Sequence, residues 1–151
     1  LTYIEVIDSP HPVRYQITAG TTRPLYASST GRLLLAFSDP EWVEEYLKLL
    51  VIKARTAQPI SKTWLRKQIA AIQERGFEYS LDHYLVGLAS VAAPVYDGEG
   101  RCIASLSIAG PSDRFRAVLD KLVATVKEVA SRASGVVAAT DAHRGEETAD
   151  A

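Results

Sequence analysis

The stretch 88–109 constrains the fold of this chain more than any other. Two apolar runs flank Asp97-Gly98-Glu99-Gly100, a short polar break rich in glycine. Such a break between strand-like runs reads as a β-hairpin connection. Successive strand side chains point to opposite faces, so Leu88, Ser90, Ala92 and Pro94 share one face of the first strand. On the second strand Ile103, Ser105, Ser107 and Ala109 do the same. The opposite faces carry Ala89, Val91, Ala93 and Val95, then Cys102, Ala104, Leu106 and Ile108. One face is therefore small and hydroxylated, the other apolar. Small side chains leave volume above a sheet, and hydroxyls there can orient a buried ligand. A helix packed closely on serines that bond to backbone fits the same pattern, and the residues alone leave both readings open.

Around this hairpin the chain reads as separate blocks of strand and helix. Residues 2–7 and 13–18 alternate and are joined by a turn containing Pro10 and Pro12, which predicts an antiparallel hairpin. Ser28, Ser29 and Thr30 precede the apolar run Leu33 to Phe37, an N-cap signal. A second helix is expected from Ser38 or Asp39, with Pro40 in its first turn and Trp42, Val43, Tyr46, Leu47 and Leu50 as its stripe. After a connection over 51–60, Ser61 caps a third helix through Leu65, Ile69 and Ile72, with Gly76 as its stop. A short strand over 77–79 leads into an irregular stretch up to Gly87. The last helix is expected from Ser112 or Asp113 to Ser134, ended by Gly135, with an acidic tail that should be disordered. The order ββ, ααα, βββ, α groups like elements together, which predicts an α+β fold around a central antiparallel sheet flanked by helices.

Composition narrows the function. The 151 residues carry a net charge of −1 and no basic stripe, so nothing here matches the electrostatic footprint of a DNA-binding surface. A single cysteine, Cys102, excludes an internal disulfide. No apolar run approaches the roughly 18–20 residues of a membrane helix, and no secretory signal opens the chain. A cytoplasmic location is expected. The chain contains no methionine and opens at Leu1 in an alternating pattern, as expected for a piece of a longer protein.

Two places offer chemistry: the hydroxylated strand faces, and the segment Ser28-Ser29-Thr30-Gly31. A helix start presents free N–H groups and partial positive charge, which suits a carboxylate, and Gly31 would let a ligand approach the backbone. The bland alternative is an ordinary cap. His11, His83 and His143 show no metal-site spacing, and no nucleophile elbow or phosphate loop is present. No catalytic residue, metal or cofactor is therefore assigned.

Two segments resemble the IclR effector-domain family. PLYASSTGRLLLAF at 24–37 is similar to the family's Pro-Leu-His-Ala-x-x-x-Gly-Lys-Ala-x-Leu-Ala. RGFEYSLDHYLVGLASVAAPV at 75–95 and GRCIASLSIAGP at 100–111 resemble its Arg-x-Gly-Tyr, acidic stretch, Gly-Leu, Val-Ala-Ala-Pro-Val and Ser-x-Ser-Gly-Pro blocks. Their order and spacing agree along roughly 1–135. The resemblance implies a GAF- or PAS-like effector-binding domain over 1–135, which leaves 136–151 as the tail expected from its composition to be disordered. It also implies an N-terminal winged helix-turn-helix that this chain lacks, through which alone DNA would be bound.

What the family does carries further implications. Its domains bind small metabolites, usually organic acids, form dimers or tetramers, and are not enzymes. The ligand-binding positions that match are Ser29, Thr30, Ser80, Leu88, Ser90, Ser107 and Ala109, to which the helix start read above adds Gly31. Ser80 stands where an acid is often found, and Ala109 where a serine is, which favours a larger or more apolar acid, such as an aromatic one. Arg23 falls at a place usually apolar and reads as solvent-facing. Two alternatives are a GAF-like oligomerisation module whose cavity is filled by side chains, and a small hydrolase using His83.

Overall fold

The computed structural model describes residues 1–53 and 56–149. Its elements are α1 (Ser29–Ala36), α2 (Pro40–Leu49), α3 (Lys62–Arg75), β1 (Glu78–Leu81), β2 (Leu88–Tyr96), β3 (Cys102–Pro111), α4 (Ser112–Arg116) and α5 (Leu119–Ala149). The strands form an antiparallel sheet in the order β1-β2-β3, so the expected α+β architecture is borne out.

Helix starts fall where short polar side chains can accept from free backbone N–H groups. The side chains of Ser28, Asp39 and Ser61 accept from the N–H groups of Gly31, Trp42 and Trp64. Gly76 closes α3 at a φ of 77°, a left-handed conformation that costs a glycine little.

The alternation of β2 divides the core into two layers. Ala89, Val91, Ala93 and Val95 pack with Phe115, Val126 and Ala130 of α4 and α5. Ala92 faces the other way, into a cluster with Tyr26, Leu33 and Leu35 beside Leu47, Leu65 and Ile72. The face carrying Ser90 and Ala92 therefore looks toward α1, and the apolar face toward α5.

Three expectations are corrected. The 2–7/13–18 hairpin does not form; the first residues pair instead with 20–23. Thr2 bridges Thr22, the N–H of Tyr3 donates to the Thr21 carbonyl at 3.0 Å, and that of Arg23 donates to the Leu1 carbonyl at 3.0 Å. Tyr3 and Val6 turn inward while Ile4 and Ile7 stand 80% and 92% exposed, so the two-residue alternation has no face to cover. The last helix is divided at Ala117 and Val118, where a tighter turn carries the Val118 N–H to the Phe115 carbonyl. Gly135 does not stop α5, which runs on through Ala149, across most of the segment expected to be disordered. The hairpin tip explains part of this: the Gly98 N–H donates to Asp141 Oδ2 at 3.2 Å, and a Cβ on Gly98 would lie 3.6 Å from the Ala138 Cα. The expected tail also includes 150–151, which lie outside the described residues. No helix among the described residues is long and apolar enough to cross a membrane.

Candidate functional site

The register of the sheet assembles the predicted strand residues. Ser80 on β1 stands opposite Ser90 on β2, and Ser90 stands opposite Ala109 on β3. The three form one row across the sheet. In the neighbouring row on the same face lie Glu78, Ala92 and Ser107. Leu88, at the start of β2, pairs with Pro111 and is partly buried, whereas Ala109 is exposed.

Helix α1 begins over this face. Ser29 Oγ lies 2.6 Å from Ser90 Oγ, and Thr30 Oγ1 donates to Ser107 Oγ at 3.5 Å. Both helix residues are buried. Ser28 takes the Gly31 N–H on its side chain at 3.1 Å and the Arg32 N–H on its carbonyl at 3.0 Å. Among the described residues no acceptor meets the N–H groups of Ser29 and Thr30. Two free donors and the positive end of a helix thus face a floor of small side chains. The bonds bring together Ser29 with Ser90 and Thr30 with Ser107, but Gly31 serves a different purpose from the one expected. A Cβ there would collide with the backbone of Leu25, so the glycine admits the chain's own preceding turn.

Beneath the site runs a buried ion pair that the sequence did not announce. Arg32 Nε donates to Glu78 Oε1 at 2.9 Å, and its Nη1 donates to the Ala27 carbonyl. Arg75 engages the other oxygen of Glu78. Burial pushes the Arg32 guanidinium down to about 10, so it stays charged at neutral pH. It also lies over the Trp64 ring, 5.4 Å from the centroid.

Sequence reasoning also missed the cover over the helix start. Tyr3 is partly buried near Thr30, with Tyr15, Tyr84 and Arg23 within electrostatic reach of it. Arg23, expected in solvent, is only partly exposed, and its Nη1 donates to the Thr22 carbonyl at 3.1 Å. Pairing of 1–3 with 20–23 brings these residues in, and no local pattern reports such a pairing.

His83 is buried at 9% exposure and stacks on Trp64 with centroids 4.5 Å apart. Burial, aided by the Arg32 charge, lowers its pKa to about 4. Its Nδ1 is buried with no hydrogen-bond partner. Two surface grooves of about 220 and 560 Å³ lie elsewhere, and none of the eight predicted residues lines either.

A family model described as "Bacterial transcriptional regulator IclR C-terminal" matches residues 1–135. The chain belongs to the IclR family.

Among its relatives are the HTH-type transcriptional regulators KdgR of Dickeya chrysanthemi and of Escherichia coli K12. Each is 34% identical over 116 residues, or 76% of this chain. That alignment covers 38% of the first relative and 44% of the second, so the IclR-type chain described here spans less than half the length of these relatives. The crystal structure of the E. coli KdgR C-terminal domain is 32% identical, with a TM-score of 0.70, covering 78% of this chain and 73% of that one. The inducer-binding domain of PobR from Acinetobacter, a double mutant in complex with 3-hydroxybenzoic acid, has a TM-score of 0.71 at 22% identity. It covers 80% of this chain and 72% of that one, and establishes the fold alone. The relatives are transcriptional regulators rather than enzymes, in agreement with the expectation from sequence.

Proposed function

We propose that this IclR C-terminal domain senses a small organic acid and passes its bound state to an N-terminal winged helix-turn-helix outside this chain. The protein would work as a homo-oligomer in the cytoplasm, touching DNA only through that N-terminal domain. One observation carries the reading: the first turn of α1, with the free N–H groups of Ser29 and Thr30, stands over the Ser80–Ser90–Ala109 row. A carboxylate there gains charge-assisted hydrogen bonds, each contributing on the order of 1.5–3 kcal/mol. The small floor gives room for the carbon body once the Ser29–Ser90 bond yields. An inducer-binding neighbour complexed with 3-hydroxybenzoic acid supports an acid as the class.

A second reading is favoured by the hydroxyl pairs themselves. Ser29 with Ser90 and Thr30 with Ser107 already satisfy one another, as in a module that only oligomerises. Thermal shift of the chain with pyruvate, benzoate and 3-hydroxybenzoate separates the two. The sensing reading expects stabilisation by at least one acid, abolished by Ser90→Phe in a variant that still folds. No shift with any acid favours the second reading, and an unchanged shift in Ser90→Phe places binding elsewhere.

A further inference from the structure

The larger of the two grooves, about 560 Å³, lies at the hairpin end of the domain, within the roughly 300–1,000 Å³ of small-molecule sites. Three aromatic rings line it: Phe37, Trp42 and Tyr96. Local structure puts each of them there. Phe37 caps the end of α1 and Asp39, two residues on, caps the start of α2, which leaves Trp42 in the first turn of that helix. Tyr96 ends β2 at a shift of register against β3, where a strand can re-aim a side chain. The rings are held in pairs: Trp42 stacks on Tyr46 with centroids 5.6 Å apart, and Phe37 meets Tyr96 edge-on at 6.0 Å. Trp42 still stands 45% exposed, so much of its ring is open to a ligand.

Charge around the same groove is unbalanced. Asp39 lines it; its Oδ1 takes the Trp42 N–H at 2.9 Å, while its Oδ2 meets no donor among the described residues. Of the described residues in the lining Arg101 is the one basic side chain, and Asp97 and Glu99 each take one of its nitrogens at 2.8 Å. Asp141 stands at the same hairpin tip, accepting from the Gly98 N–H. Four carboxylates thus share one guanidinium, and a cation entering the groove meets a negative potential. Aromatic faces attract cations through their quadrupole, and several such rings beside a carboxylate suit an alkylated ammonium.

We propose that this groove binds a small organic cation, an alkylated ammonium with an apolar body. The ammonium takes Trp42 as its aromatic face and Asp39 as its counter-ion, and the body lies along Phe37 and Tyr96. The site is separate from the start of α1 and does not rest on the acid-sensing reading.

The test is calorimetric titration of the chain with choline, with benzyltrimethylammonium, and with 3,3-dimethyl-1-butanol, the uncharged isostere of choline. Choline is expected to bind about tenfold more tightly than the isostere, and benzyltrimethylammonium more tightly still. Trp42→Ala should weaken both cations by about tenfold. Asp39→Asn, whose amide oxygen still caps α2, should weaken them by about threefold and leave the isostere unchanged. It carries the test if Trp42→Ala does not fold. Equal binding of choline and its isostere, no binding of either cation at millimolar concentration, or affinity unchanged in a variant that folds overturns the proposal. So does loss of cation binding in Ser90→Phe, which would move the cation to the start of α1.

Discussion

Ser29 Oγ and Ser90 Oγ lie 2.6 Å apart, joining the first residue of helix α1 to the middle row of the sheet across 61 positions of sequence. On the acid-sensing reading proposed above, a ligand entering between helix and sheet displaces this bond. A double-mutant cycle with Ser29→Ala and Ser90→Ala should give a coupling of about 0.5–1.5 kcal/mol in urea unfolding, the net worth of one such bond. Strict additivity of the two substitutions would mean that the hydroxyls do not hold each other in solution.

Two glycines in helices should respond to alanine with opposite signs. Gly31→Ala drives a methyl into the Leu25 backbone and should cost about 1–3 kcal/mol or more. It should also weaken any binding at the helix start. Gly135 has nothing within 4 Å of its would-be Cβ and lies inside α5, so Gly135→Ala should stabilise by roughly 0.5–1 kcal/mol. Thermal melts of the two variants check both signs.

The buried ion group should show an order of costs. Glu78 is 1% exposed and serves Arg32 and Arg75 together. Glu78→Leu strands a buried guanidinium and should cost about 3–5 kcal/mol. Arg32→Met should cost less, because Glu78 keeps Arg75. The reverse order in denaturant unfolding would contradict this account of the pair.

The pH dependence should have a component belonging to His83. Its pKa is near 4 in the folded domain and 6.5 in an unfolded chain, so the unfolded state binds more protons between those values. Stability is then full above about pH 6.5 and declines as pH falls toward about 4. Asp82 and Asp97, whose carboxyls are held below 3.8 by hydrogen bonds and neighbouring arginines, add their own loss only at lower pH. His83→Phe, which keeps the stack on Trp64, should flatten the upper part of the profile. An identical profile in that variant would assign the slope to other groups.

Exposed Ile4, Ile7 and Val13 in the first segment, with Val136 on α5, leave apolar side chains uncovered in a single copy. Static light scattering at micromolar concentration is expected to give a mass above that of the 16.4 kDa chain. A strict monomer over that range would speak against self-association of these residues.

What the sequence made legible was local. A serine or aspartate before a helix, a glycine after one, and a two-residue alternation each report a conformation through a few bonds within reach. Hence Ser28, Asp39, Ser61 and Gly76 were read correctly, as were the two faces of the hairpin. Alternation over 2–7 failed because it reports a face and not a partner. The partner proved to be 20–23, which carries no matching pattern. Arg32 on Glu78 joins residues 46 positions apart, where no spacing rule operates. Gly31 was flagged for the right freedom and the wrong neighbour.

Helix α1 has eight residues, a rod about 12 Å long. Two turns offer no joint at which one end can shift while the other stays. The Ser29 end rests on a pair of hydroxyls, the middle carries Arg32 locked to β1 and α3 through Glu78, and beyond the far end Phe37 meets the Tyr96 ring edge-on at 6.0 Å. Arg32 therefore pins the rod at its middle to two other elements, between a hydroxyl pair at one end and an aromatic edge at the other.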